Sequence, residues 1–242
     1  MTHDLAVDIK IGDHYTVGSG FLTFNIDTIW TTVLAGAIVI GLGLFVRSRV
    51  TAGVPNGVQL FWETVVGGLQ DQVEANMGSR APYVAPLAIT IFVFVLISNW
   101  LELIPTNGVL KSPSADVNFT YALGLLVIIW LHVAGARRQG PLRYLKNVVF
   151  PPGRPKILAP VNVIEELVKP FTLALRLFGN IFAGGIMVSL IGLLPLVIFP
   201  AVGNVGWKLF DMFIGVIQAF IFALLTILYF GFSFEAEHEE SH

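Results

Sequence analysis

Arg176 stands inside an apolar stretch that runs from Val161 to Ile191. A guanidinium keeps its proton at any physiological pH, so this charge cannot be discharged on burial. At the centre of a membrane helix it costs about 2.5–3.5 kcal/mol on insertion scales. Along the same stretch Glu165, Lys169, Thr172, Arg176 and Asn180 recur at steps of four, three, four and four, which makes one stripe of a helix. Glu165, Glu166 and Lys169 lie at the end next to a basic loop, where headgroups and water can solvate them; Arg176 and Asn180 are deeper. A fixed cation among polar groups inside lipid is the chemistry of ion paths and proton relays. Two other placements are open to such an arginine. One is a snorkelling side chain, which would have to reach past the two turns that separate it from Lys169. The other is a buried pair with an acid of this chain.

Polar residues elsewhere in the apolar runs extend the pattern. Asp211 and Gln218 are seven residues apart and share a helix face, with Gly215 between them and Lys208 one turn before. Gln218 falls at middle depth, level with Arg176 or Asn180 if the two helices are antiparallel, and also suits an interhelical hydrogen-bond clamp. Asn99 and Glu102 are one turn apart just before Pro105. Glu102 by itself reads equally well as a solvated helix-end acid. Together with Asp211 they give three polar groups at similar outer depth, a set that can hold a file of water. Gly179, Ala183, Gly184 and Gly185 allow another helix to approach closely. His132, near the basic end of a span, reads as interfacial.

Several chemistries are excluded. The chain has no Gly-rich loop ending in Gly-Lys-Ser/Thr and no His-Glu-x-x-His, so neither nucleotide hydrolysis nor a zinc protease is indicated. Cysteine is absent, which rules out disulfides and thiolate metal sites. No catalytic residue, cofactor or metal is expected, and no nucleic-acid partner.

These residues must be positioned by membrane helices. The chain is 55% hydrophobic and only 12% charged, with runs near the ~20 residues that span a bilayer. Asp27–Val46, Tyr83–Ile104, Phe119–Ala136, Val161–Ile191 and Val205–Phe234 are predicted to span. The fold class is all-α and integral to the membrane. Asn56–Met77 is too polar to cross. Val58, Trp62, Val65, Leu69 and Val73 recur every three or four residues, with Asn56, Gln59, Glu63, Gln70 and Glu74 on the other face. That pattern predicts an interfacial helix, apolar side down; a helix packed on another subunit is the alternative. A straight helix over Val161–Ile191 would be about 45 Å long against a hydrocarbon core of about 30 Å, so tilt or a kink at Pro170 is expected. The last two segments should form a long inclined hairpin, 161–234, turning near Pro195–Asn204. Residues 1–26, acidic at Asp4, Asp8 and Asp13, form an external segment without structure of its own and without the features of a signal peptide. Residues 27–234 make a single membrane domain, and 235–242 an acidic tail.

Charge sets the orientation. Arg137, Arg138, Arg143, Lys146, Arg154 and Lys156 crowd one loop, and Arg47, Arg49 and Arg80 flank another. The Pro105–Asn118 loop has only Lys111, and the Gly192–Asn204 loop has no basic residue. Both arginine-bearing loops are therefore expected in the cytoplasm, with the N-terminus outside and the C-terminus inside.

Leu173-Ala-Leu-Arg-Leu-Phe-Gly-Asn-Ile-Phe-Ala-Gly closely resembles the signature of subunit a of F-type ATP synthases. Pro160-Val-Asn-Val-Ile-Glu-Glu-Leu-Val-Lys-Pro before it, Gln218-Ala-Phe-Ile-Phe-Ala-Leu-Leu-Thr after it and Asn99-Trp-Leu-Glu-Leu-Ile-Pro in the second span are similar to the family's surrounding motifs. The resemblance implies a non-catalytic, proton-translocating stator subunit in the bacterial plasma membrane. Its hairpin would stand against a ring of small rotor subunits bearing buried carboxyls, alongside peripheral-stalk membrane subunits and lipid. Arg176 matches the family's essential arginine between two offset half-channels. Asn99, Glu102, Asp211, Asn180 and Gln218 match the outer half-channel, and Glu165, Glu166 and Lys169 suit the inner one. Some relatives carry an acid where Gly185 stands and a histidine where Asp211 stands, so only Asp211 can exchange protons at that level here. A proton is favoured as the coupling ion. The alternative function is a stand-alone secondary transporter that binds an anionic substrate at Arg176; an intramembrane hydrolase lacks a nucleophile and base.

Overall fold

The computed structural model describes residues 16–17, 23–51, 53–77, 84–101, 103–104, 112–151, 155–193 and 198–235. Seven α-helices account for nearly all of them: α1 (Ile26–Arg49), α2 (Gly57–Met77), α3 (Val84–Leu101), α4 (Val117–Gln139), α5 (Pro141–Val149), α6 (Ala159–Ile191) and α7 (Ile198–Glu235). All but α2 and α5 are long and apolar enough to cross a membrane, and the five expected spans each coincide with one of them. The chain is an all-α integral membrane protein. Asp4, Asp8, Asp13, Arg80, Lys111, Arg154 and the tail beyond Glu235 lie outside the described residues.

Apolar spacing explains the core. On α7, Ala219, Phe222, Ala223, Ile227 and Phe230 are all fully buried and follow helical periodicity. They meet Val84, Ala88, Ile91 and Val95 of α3. The helix α3 lies between α1 and α7, while α4 pairs mainly with α6. Of the stripe read from α2, Leu69 and Val73 are buried against α3 and α7, Trp62 and Val65 are half-buried, and Val58 is exposed. Gln59 departs from the expected polar face. It is buried because its amide bonds to Thr51 and Glu63, closing the turn between α1 and α2.

Threonine hydroxyls inside the spans are satisfied by their own helices, whereas the buried Ser98 Oγ of α3 has no partner among the described residues. Thr31 donates to the Asp27 carbonyl at 2.7 Å and Thr226 to that of Phe222 at 2.9 Å. Asp116 caps α4 by accepting from the Asn118 amide at 2.8 Å. The same carboxylate accepts from Asn25 at 2.6 Å and Thr28 at 2.8 Å, tying the start of α1 to the start of α4.

Three local features differ from expectation. A short antiparallel pair, β1 (Thr16–Val17) with β2 (Phe24–Asn25), gives part of the N-terminal segment structure. The turn between α6 and α7 is earlier than Pro195–Asn204: α6 ends at Ile191 and α7 is already helical at Ile198. Pro200 does not prevent this, since a proline in a first turn forfeits only an N–H that has no helical partner. The basic loop contains α5, entered through Gly140 at φ +85° with Pro141 as its first residue.

The helix α6 runs through Pro170 as one element. There it touches Gly124 of α4, where an added Cβ would come within 3.0 Å of the Pro170 carbonyl oxygen. Gly124→Ala should therefore overpack this crossing and cost about 1–3 kcal/mol. The check is a lower unfolding midpoint in detergent; an unchanged midpoint would mean that α4 and α6 do not meet here.

Candidate functional site

The two long helices are antiparallel, and their contacts set the depth of each polar group. Near the turn, Ile191 meets Gly203. Further in, the Trp207 indole donates to the Gly184 carbonyl at 3.2 Å, and the Asp211 carboxylate lies over Gly184. At the basic end, Lys169 Nζ sits 5.3 Å from the centre of the Tyr229 ring. Between these fixed points Gln218 falls level with residues 176–180, as the antiparallel reading requires.

Arg176 is exposed, while Ala174 and Leu177 on the other side of α6 are fully buried. Among the described residues no carboxylate lies within ion-pair distance of its guanidinium. Internal neutralisation, one of the readings open to the sequence, is thereby removed for those residues. Thr172, Gly179 and Ala183 share the exposed face with it, and a Cβ at Gly179 would meet nothing within 4 Å. These three make a low strip beside the cation, bordered by the exposed side chains of Leu175 and Phe182. Asn180 belongs to α6 one turn on, but its side chain lies outside the described set.

The outer group assembles on α3 and α7. Asn99 and Gln218 are buried, at 5% and 4% exposure, between largely apolar helix faces that also bury Ser98 and Thr226. Asn99 donates to the Gly215 carbonyl at 3.4 Å, while its Oδ1 and the Gln218 Nε2 have no hydrogen-bond partner among the described residues. Buried amide atoms of this kind are ordinarily met by water. Gly215 packs directly on Asn99 and Trp100, where a Cβ would lie in van der Waals contact at 3.4–3.6 Å. Asp211 lies one turn outward, half-buried, where any side chain at position 184 would press on its carboxylate at 3.2 Å. Glu102 lies outside the described residues. Trp100 and Lys208 serve as clamps: the indole donates to the Met212 carbonyl at 3.2 Å, and Lys208 Nζ to that of Leu103 at 3.2 Å.

At the basic end Glu165 is exposed, and Glu166 pairs with Lys169. Reasoning from sequence missed two members of this group. His132 of α4 approaches Glu166 with Nε2 3.9 Å from Oε2, and its Nδ1 is 2.7 Å from the Tyr144 hydroxyl of α5. Their sequence signal was weak, because His132 and Tyr144 belong to different helices.

The fold and these groups define a class: a multi-pass helical membrane protein that displays, midway along a long helix, a cation with no ion-pair partner among the described residues, between a polar cluster at either end. Comparison with known proteins makes this specific. The family described as ATP synthase A chain matches residues 29–231. The chain belongs to that family. It is 49% identical to the ATP synthase subunit a of Mycobacterium bovis, covering 97% of both chains. It is also 49% identical to that of Acidothermus cellulolyticus over 96% of this chain and 85% of the relative. To that of Shewanella frigidimarina it is 36% identical over 91% of each.

Interhelical hydrogen bonds in membrane proteins contribute on average about 0.6 kcal/mol. Trp100→Phe, which removes the bond to Met212, should lower stability by about that amount while leaving the helix pair intact. Unfolding in detergent checks this, and a loss above about 2 kcal/mol would give Trp100 a larger role than a clamp.

Proposed function

We propose that this chain is the proton-conducting stator subunit of a rotary F-type ATP synthase in the bacterial plasma membrane, and is non-catalytic alone. The observation that carries the reading is Arg176: a permanent cation at mid-depth, exposed, with no acid of the described chain to neutralise it. A charge so placed needs a counter-charge from outside the chain. Carboxyls on a ring of small rotor subunits would supply it, passing along the low surface of Thr172, Gly179 and Ala183. Each would be ionised while it faces Arg176, since burying a bare carboxylate is otherwise prohibitive. The arginine would also interrupt any continuous water wire, because it cannot take part in proton exchange.

Two half-channels complete the reading. The outer one would use Asp211 as the exchanging group, with Asn99, Gln218, Asn180 and Glu102 holding water or the ring carboxyl. The inner one would use Glu165, Glu166 and Lys169, opening to the cytoplasm on the side of the basic loop. Peripheral-stalk subunits and lipid would cover the remaining apolar flanks. A stand-alone transporter binding an anion at Arg176 is less well supported, since the guanidinium lies on an exposed face rather than within an enclosed cavity of the chain.

The decisive experiment is ATP-driven proton pumping in inverted vesicles carrying the whole complex with Arg176→Ala. Leaving a buried charge uncompensated costs about 3–5 kcal/mol, so coupled pumping should fall by about a hundredfold or more, while nucleotide hydrolysis persists. Gln218→Ala should reduce pumping less; normal pumping by Arg176→Ala would remove the central role assigned to it. Asp211→Asn should slow proton uptake from the outer side several-fold and weaken its dependence on outer pH. A rate that follows outer pH as before would take Asp211 out of the path.

A further inference from the structure

The cluster at the basic end is more elaborate than a solvated helix terminus needs. Gly140, at φ +85°, ends α4 and lets α5 double back along it. This return brings Tyr144 onto His132, with ring centres 5.8 Å apart in an edge-on arrangement and the hydroxyl 2.7 Å from Nδ1. Room for the phenol is made by Gly135: a Cβ there would lie 2.3 Å from the ring. Tyr144 is itself buried, at 9% exposure, and Asn147 of the same short helix is fastened to Gln139 at 3.3 Å. Across from the phenol, the other imidazole nitrogen faces Glu166 Oε2 at 3.9 Å. That oxygen is buried and without a hydrogen-bond partner among the described residues, while Oε1 is taken by Lys169. A cleft of about 440 Å³, lined by His132, Tyr144, Glu166 and apolar residues of α5 and α6, reaches the cluster.

We propose that His132, held in register by Tyr144, is the terminal proton carrier of the inner half-channel, a role that rests on the function proposed above. With its proton on Nδ1, the neutral ring donates to the Tyr144 oxygen and leaves the Nε2 lone pair facing Glu166. A proton arriving on Glu166 Oε2 then has an acceptor close by, within the reach of one side-chain rotation or one water. As the O–H bond on Oε2 breaks, an N–H bond forms on Nε2; the carboxylate returns to its pair with Lys169. The imidazolium gives a proton to water in the cleft, which opens to the cytoplasm in this orientation, and one H⁺ has moved with no other change. Lys169 keeps the protonated carboxyl short-lived, which drives the proton onward. The charged groups facing the imidazole are Glu166 and Lys169 of α6; α5 contributes the uncharged phenol. Imidazole suits this position because it can take a proton on Nε2 while its Nδ1–H stays bonded to the phenol.

The test uses the whole complex in inverted vesicles, whose bath contacts the cytoplasmic face, with bath and lumen pH varied independently. Wild-type proton flux should show a titration step in bath pH within the imidazole range. His132→Gln should lower the flux about tenfold and abolish that step, with the dependence on lumen pH preserved. Tyr144→Phe keeps the ring that fills the space beside Gly135 and should displace the step, because the tautomer is no longer fixed. Profiles of both variants superimposable on wild type would overturn the proposal. Should His132→Gln fail to assemble, the Tyr144→Phe profile decides alone. Arg176→Ala run in parallel separates the two readings: if it abolishes pumping while the His132 and Tyr144 variants behave as wild type, only the exit carrier is wrong.

Discussion

A guanidinium in the middle of a membrane helix is the constraint to which the rest of this molecule answers. It cannot lose its proton, it is two turns from the nearest headgroup-level lysine on its helix, and no described acid of the chain pairs with it. The helices around it are arranged so that one side of α6 is closed and the other is left open. Leu177 and Ala174 seal the closed side without residual exposure, and Pro170 meets Gly124 at the α4 crossing. On the open side Thr172, Gly179 and Ala183 form a narrow low strip beside the cation, with the exposed Leu175 and Phe182 to one side of it. In the proposed function its cost of insertion would be balanced from outside the polypeptide, by an acid that comes to face it.

The antiparallel course of α6 and α7 converts positions far apart in sequence into an ordered series of depths. Asp211 lies near the turn, Gln218 is level with Arg176, and Tyr229 lies against Lys169 at the basic end. The helix α3 runs beside α7 and adds Asn99 at the level of Gly215. A glycine lets the carboxylate sit so close: Gly184 admits Asp211, where a Cβ would be 3.2 Å from its oxygen. Polar atoms therefore line both ends of the long pair, while its middle carries the one charge that cannot exchange a proton.

Much of this was legible in the sequence, for identifiable reasons. Apolar runs of spanning length announce the five long helices, and steps of three and four residues announce the stripe through Arg176. The motif around that residue carries the family. What could not be read depended on contacts between elements. Arg176 admitted three placements until the neighbours of α6 were known. Gln59 looked like a surface residue because its burial is set by the turn from Arg49 to Asn56, not by its own helix periodicity. His132 looked interfacial because Tyr144 and Glu166 reach it from two other helices. The nine-residue α5 was hidden in a basic loop, too short to span and signalled only by Gly140-Pro141.

The carboxylate of Asp116, which fastens Asn25 and Thr28 to the head of α4, closes a loop of about ninety residues. During synthesis α1 emerges long before that fastening exists, and few of its residues are buried by the finished protein: Asp27, Thr31 and Ala35. Its main partner in the finished protein is α3, so until that helix follows it has mostly lipid around it. Its composition suits that wait, since Asp27 is the only charged residue before Arg47. The first helix is written for lipid, and its head is locked to α4 only afterwards.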